Sequence, residues 1–211
     1  MAATDEEINA ETHFPCMDVT GVWKDCFDPA KKEAPGKGTV VAVIDTGVDY
    51  THKDLADNIW VNEGEIPGNG IDDDGNGYVD DVHGVDFVDG DSDPMDEHGH
   101  GTHVAGIIAM TPGNGGGVGV AYGAKIMCVR AGQANGSFAS TDIAKAIKYA
   151  ADNGADVINM SFGGTGRSYL VESALQDAFP SCVLVAAAGN DGLPTTDAKS
   201  AGYLLNENIY P

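Results

Sequence analysis

The sequence predicts an α/β fold, a doubly wound and mostly parallel sheet with helices on both faces. Three observations lead there. Short, continuous apolar runs, the pattern of strands buried on both faces, recur at residues 39–44, 125–129, 157–160 and 182–188. Between them lie segments with helical periodicity, and strand–helix alternation with fully apolar strands builds a parallel sheet rather than hairpins. Glycines and prolines punctuate the boundaries. In such a sheet, residues just past the carboxyl ends of the strands meet at one edge, where sites form.

Taken in order, residues 1–37 carry no clear apolar periodicity and end in a Lys/Pro/Gly-rich stretch at 31–37. They read as an approach segment whose Val19, Val22 and Trp23 dock on the domain formed by residues 38–211. The run at 39–44 is the first strand, and it delivers Asp45. Residues 62–97 form a Gly/Asp-rich insertion without apolar periodicity, too long for an ordinary connection and therefore functional or ordered by a ligand. A helix over 100–110 follows, then a glycine-rich loop at 112–117 and the strand at 125–129. The next helix, 141–153, places Ile143, Ala144, Ile147, Ala150 and Ala151 on one face, with Ser140 or Thr141 as N-cap and Gly154 as its stop. A strand at 157–160, a helix at 170–178 and a strand at 182–188 complete the pattern.

A chain of 211 residues is one domain by length, and 42% hydrophobic residues suffice for a sizeable core. No apolar run approaches the ~18–20 residues of a membrane span. The acidic start, Met-Ala-Ala-Thr-Asp-Glu-Glu, has neither the basic nor the apolar region of a signal peptide. A formal charge of −22 argues against nucleic acid or an anionic membrane as partner, since phosphate binding needs basic patches. Acidic residues concentrate between Glu63 and Glu97, which points to a divalent cation. Cys16, Cys26, Cys128 and Cys182 fit no metal spacing. Cys128 and Cys182 lie in apolar runs and read as buried thiols, whereas Cys16 and Cys26 are able to pair in an oxidising compartment.

Two segments carry the chemistry. Residues 41–49 read Val-Ala-Val-Ile-Asp-Thr-Gly-Val-Asp, and residues 99–106 read Gly-His-Gly-Thr-His-Val-Ala-Gly. A carboxylate at the end of an apolar run, as at Asp45, costs desolvation unless it is paired or turned onto the local backbone. His100 enters its helix between Gly99 and Gly101, which let the backbone approach closely. His98 is expected to face solvent, and His103, one turn further on, to be a buried structural residue. Zinc held by His100-x-x-His103 lacks a third ligand. Within the insertion, Asp72, Asp74, Asn76, the Tyr78 carbonyl and Asp80 fall at offsets 1, 3, 5, 7 and 9 of an EF-hand loop, with Gly77 at the sharp turn. His83 stands where the bidentate Glu belongs, so Asp81 is expected to close the shell. Oxygen-only ligands at this density select Ca²⁺ over transition metals.

The two segments resemble the signatures of the subtilisin-like serine proteases, and the resemblance runs from about Gly38 to the last residue. It implies an Asp–His–Ser relay in the chain order of subtilisin, with Asp45 orienting the imidazole and His100 as general base. It implies further that Asn190, after Val-Leu-Val-Ala-Ala-Ala-Gly, donates its amide to the oxyanion. Ser161, Phe162 and Gly163 would offer backbone groups to a polypeptide substrate in extended conformation, with Gly136 and Ser137 on the opposing edge. Asp54, nine residues after Asp45, with Asn114 and loop carbonyls would hold a second calcium. The family also implies a secretory route. The family's nucleophile turn, Gly-Thr-Ser-x-Ala, is absent from the 211 residues, and no serine here stands in that context. The expectation is therefore the amino-terminal part of a calcium-stabilised endopeptidase domain, inactive alone. A non-catalytic, calcium-stabilised peptide-binding module with the same cleft is the alternative.

Overall fold

The computed structural model describes residues 3–26, 33–164 and 166–190. In chain order its elements are α1 (Asp5–Ala10), α2 (Phe14–Met17), α3 (Val19–Cys26), β1 (Val40–Asp45), β2 (Gly84–Asp86), α4 (His100–Ala109), β3 (Lys125–Arg130), α5 (Ser140–Asp152), β4 (Val157–Met160), α6 (Tyr169–Ala178) and β5 (Val183–Ala186). The five strands form one parallel sheet in the order β2-β3-β1-β4-β5. β1 is central because its residues are apolar on both faces: Ala42, Val43 and Ile44 are fully buried. On one face Val41, Val43, Ile126 and Cys128 pack against Ala105 and Ala109 of α4. On the other, Ile44, Met127, Val129 and Ile158 pack against Ile147 of α5 and Leu175 of α6. Each fully buried Ile or Val contributes roughly 1.5–3 kcal/mol, so the two-sided core fixes the strand register. The chain leaves β1 to one side for β2 and β3, then crosses to the other for β4 and β5. The switch in winding direction therefore lies at the carboxyl end of β1, where Asp45 sits.

The predicted strands and helices are all present, with ends moved by one or two residues at most positions. β2 is the exception, a strand inside the insertion that periodicity did not reveal. It has three residues, and Gly84 begins it because a Cβ there would lie 1.8 Å from the Cys128 carbonyl oxygen. The amino-terminal segment is helical rather than irregular. A capping box between Thr4 and Glu7 starts α1, and Phe14 and Val19 bury against Val118. Trp23 Nε1 donates to the Val120 carbonyl at 2.9 Å. Val22 stays 49% exposed, so of the three residues expected to dock only Val19 and Trp23 do. Helices this short leave too few turns for an apolar stripe to register.

α5 is capped by Ala139 without a side-chain hydrogen bond, not by Ser140 or Thr141, and Gly154 at φ 82° ends it. Cys128 and Cys182 are buried thiols; Cys16 and Cys26 are exposed and unpaired. Among the described residues, no helix is long and apolar enough to cross a membrane.

Candidate active site

Asp45 is carried to the carboxyl edge of the sheet by the apolar run before it and is fully buried. His100 Nδ1 lies 2.7 Å from Asp45 Oδ1, and the Thr46 N–H donates to the same oxygen at 2.8 Å. Asp45 Oδ2 is buried with no hydrogen-bond partner among the described residues. Burial pushes the Asp45 carboxyl above its ordinary value, while the His100 hydrogen bond and the Thr46 N–H pull it back. An ionised Asp45 accepts from Nδ1–H, which fixes the tautomer that leaves the Nε2 lone pair free. The His100 side chain is 44% exposed, and no described residue hydrogen-bonds Nε2. A base aimed outward and backed by a buried carboxylate can take a proton from a hydroxyl, the developing imidazolium being stabilised from behind.

Two glycines and one further carboxylate allow this approach. A Cβ at Gly101 would stand 2.1 Å from the Gly47 carbonyl oxygen and 2.9 Å from Asp45 Cβ, so only glycine fits where α4 meets the turn after β1. A Cβ at Gly47, itself at φ 107°, would stand 2.7 Å from the Met95 carbonyl oxygen and 2.8 Å from that of Pro94. Asp96 lies four residues ahead of His100 and binds both sides of this junction. Its Oδ1 accepts from the His98 and Gly99 N–H groups, each at 2.9 Å, and from Thr46 Oγ1 at 2.9 Å. Its Oδ2 accepts from the Thr102 N–H at 2.9 Å and hydroxyl at 2.6 Å. Burial acts to raise the Asp96 carboxyl, but the Thr102 hydroxyl and the N–H groups of Gly99, Thr102 and His98 outweigh it and hold the group below the ordinary 3.8. Of these donors the Thr102 N–H is an orphan amide of the helix start, satisfied by a carboxylate, and the His98 and Gly99 N–H groups lie just ahead of it.

His98 is exposed, as its sequence position suggested. His103 is exposed as well, against expectation. The sheet-facing side of α4 is taken by Ala105 and Ala109, and His103 turns outward to line a cavity of about 330 Å³ with Glu11, His52 and Asp54.

The cleft residues follow β4 and β3. Ser161 Oγ accepts from Asn159 Nδ2 at 2.9 Å, and the Phe162 ring stacks on Phe138 with centroids 4.3 Å apart. Gly136 and Ser137 form a tight turn in which Gly136 N–H donates to Gln133 O and Gln133 N–H to Ser137 O, both at 2.8 Å. The opposing edge is thus a loop closed by a single Gly132–Phe138 bridge rather than a strand. A cavity of about 270 Å³ lies between these segments, walled by Gly136, Ser137, Phe138, Ile143, Phe162 and Gly163 among others. Asn190 is exposed and lies four residues past β5, following a strand that runs parallel to β1 and β4.

In the insertion, Asp74 and Asp81 come together with Glu65, each offering one oxygen within 4.8 Å of the others. Glu65 was not anticipated. Asp81 is fully buried and accepts from Asn62 Nδ2 at 3.0 Å, Asn76 Nδ2 at 3.0 Å and the Tyr149 hydroxyl at 2.5 Å. Burial pushes the Asp81 carboxyl up, opposed by Tyr149 and the two asparagines. Asp72 instead accepts the N–H groups of Gly75, Asn76 and Gly77, and Asp80, at φ 55°, those of Asn69 and Gly70. Asn76 Oδ1 accepts the Tyr78 N–H at 2.8 Å. The three converging groups are all oxygen donors, and their charge in so small a space fits a hard divalent cation. Asp54 and Asn114 also meet: Asp54 Oδ1 accepts from Asn114 Nδ2 at 2.5 Å and from Lys53 Nζ at 2.6 Å.

Residues 36–206 match the subtilase family of peptidases (Peptidase S8). The chain belongs to the subtilase family. It is 46% identical over 161 residues to a thermophilic serine proteinase of Bacillus sp. (strain AK1), covering 75% of this chain and 35% of that protein. It is 39% identical over 175 residues to thermitase of Thermoactinomyces vulgaris, covering 79% of this chain and 55% of thermitase. Among solved structures it is similar to a cold-adapted subtilisin-like serine proteinase, with TM-score 0.59 and 33% identity over 77% of this chain and 50% of that one. The chain spans about half or less of the length of these relatives.

The structure of this subtilase chain brings together Asp45 and His100, which the motifs singled out, whereas Asp96, Thr102 and Glu65 were not singled out. Asp96 carried one available signal, an acidic residue shortly ahead of a helix start. Glu65 carried none, because its convergence with Asp74 and Asp81 depends on how the loop folds back.

Proposed function

We propose that this subtilase chain carries the acid–base half of a serine endopeptidase centre. The observation that bears most weight is the 2.7 Å contact between His100 Nδ1 and Asp45 Oδ1 in a buried, preorganised junction. His100 Nε2 takes the proton of an attacking serine and returns it to the leaving amine, and Asp45 stabilises the imidazolium between the two steps. Asn190 donates its side-chain amide to the oxyanion. An extended polypeptide lies against the backbone of Ser161, Phe162 and Gly163, with Gly136 and Ser137 on the other side. The aromatic pair Phe138 and Phe162 at the cavity between them suits an apolar substrate side chain.

The nucleophile is not among these residues. No serine stands in a Gly-Thr-Ser-x-Ala turn, and no described serine hydroxyl meets His100. Taken alone, the 211 residues do not hydrolyse peptides.

Glu65, Asp74 and Asp81 are the groups that would hold calcium, with Asp72, Asn76, the Tyr78 carbonyl and Asp80 shaping the loop around them. Calcium there supplies positive charge that offsets the clustered carboxylates and orders the insertion. Asp54 and Asn114 are proposed for a second ion that displaces Lys53 from Asp54.

The functional test joins this chain to a relative's segment bearing Gly-Thr-Ser-x-Ala and measures cleavage of short peptides. The joined protein is expected to cleave peptides with an apolar residue at the Phe138–Phe162 cavity at least about tenfold faster than those with Asp there, one unpaired buried charge exceeding 1.4 kcal/mol. Equal rates would remove the substrate assignment, and no cleavage of any peptide by a folded hybrid would remove the catalytic one.

A further inference from the structure

A row of charged residues crosses the sheet at its carboxyl end. Asp86 on β2, Arg130 on β3 and Asp45 on β1 stand in register. All three lie on the face that packs against α4, and they are 1%, 5% and 0% exposed. Arg130 Nη1 donates to Asp86 Oδ2 at 2.7 Å and to Asp89 Oδ2 at 3.0 Å, and Nη2 donates to Glu97 Oε2 at 2.8 Å. Arg130 Nε is buried with no partner among the described residues.

A buried guanidinium with an idle donor is a poor means of gaining stability, because desolvation offsets most of the ion-pair attraction. Its placement supplies something else. Asp86 and Asp89 open the segment 86–97, and Glu97 closes it, so one side chain holds both ends. Asp96, the neighbour of Glu97, organises the start of α4 and holds the Thr46 hydroxyl. Pro94 of the same segment accepts the Val48 N–H at 3.0 Å, tying down the turn after Asp45. Both halves of the catalytic pair are therefore braced by a segment that Arg130 clamps. A lysine, a single compact charge without a fork, cannot serve three carboxylates in this geometry.

We propose that Arg130, acting through Glu97 and Asp96, is a positioning residue that sets the Asp45–His100 contact. This inference rests on reading that pair as the acid–base couple. It is tested on the chain itself by proton NMR of the His100 Nδ1–H, a short charge-assisted hydrogen bond whose proton resonates at low field and exchanges slowly with water. Loss of the resonance in Asp45→Asn identifies it. Glu97→Gln alters an exposed carboxylate and leaves the fold intact, and Arg130→Lys keeps the charge without the fork. In Glu97→Gln the proton is expected to exchange roughly tenfold faster, as local opening becomes easier once a charge-assisted bond is lost. In Arg130→Lys the signal should broaden beyond detection while the backbone spectrum stays folded. Unchanged exchange in a folded Glu97→Gln protein would overturn the proposal, whether or not Arg130→Lys folds. Absence of the resonance from the unaltered protein would instead overturn the pair, and the positioning role with it.

Discussion

At Gly101 a single methyl group decides whether His100 reaches Asp45. The added Cβ would stand 2.1 Å from a backbone oxygen, which no rotamer change relieves. Gly101→Ala is therefore expected to cost roughly 3 kcal/mol, at the upper end of overpacking penalties, measured by urea denaturation. A change below about 0.5 kcal/mol, the range of ordinary surface substitutions, would contradict the tight junction. Asp96 offers a test through pH. Its carboxyl is held below 3.8, so the stability it confers is fully present above that value and is lost as pH falls through the lower folded value. Asp96→Asn should cost about 2–3 kcal/mol at neutral pH, and the gap to the unaltered protein should narrow as pH falls below 3.8. A gap constant from neutral to acidic pH would show that the charge of Asp96 is idle. Asp45 and His100 were singled out because their segments, a strand end and a glycine-flanked helix start, resemble the family's signatures. Asp96 was not, since the donors that make it matter come from Thr46 and from the first turn of a helix, which only the fold assembles.

The elements that were legible are those whose burial leaves a period or a continuous run, namely β1, β3, β4, β5, α4, α5 and α6. β2 and the three amino-terminal helices escaped because short polar-flanked elements bury too little to print a pattern. The insertion shows both outcomes. Its acidic spacing suggested a cation loop, yet the carboxylates that converge are Glu65, Asp74 and Asp81, a grouping set by how the loop folds back. Asp72 and Asp80 turn onto backbone N–H groups, and Glu65 also accepts those of Asp73, Asp74 and Asp80. Calcium at about one hundred times its dissociation constant is expected to stabilise the chain by about 2.7 kcal/mol. That corresponds to a melting temperature roughly 5–10 °C higher than in chelator. Glu65→Gln should remove most of that rise. A melting temperature indifferent to calcium would remove the loop assignment, and a full rise in Glu65→Gln would return it to the residues the spacing alone suggested. Tyr149 ties the loop to α5 through its hydroxyl on buried Asp81, so Tyr149→Phe should cost about 1–3 kcal/mol by leaving that carboxylate short of a donor. Denaturation indistinguishable from the unaltered protein would mean that the hydroxyl contributes nothing.

For the molecule as a whole, one architectural rule does most of the assembly. A parallel sheet wound in both directions from β1 brings the carboxyl ends of its strands to one edge, and Asp45, Arg130 and Ser161 are distributed along it. No serine of the 211 residues stands in a Gly-Thr-Ser-x-Ala turn, and an activated serine is what we propose that edge to lack. The most direct measurement is labelling by a fluorophosphonate, which reacts with a serine only when a base has activated it. It should be applied to this chain alone, to the chain joined to a relative's Gly-Thr-Ser-x-Ala segment, and to the joined protein with His100→Ala. No label on the chain alone, label on the joined protein and loss of that label in His100→Ala are the results predicted. Labelling of the chain alone, or labelling of the joined protein that survives His100→Ala, would contradict the account.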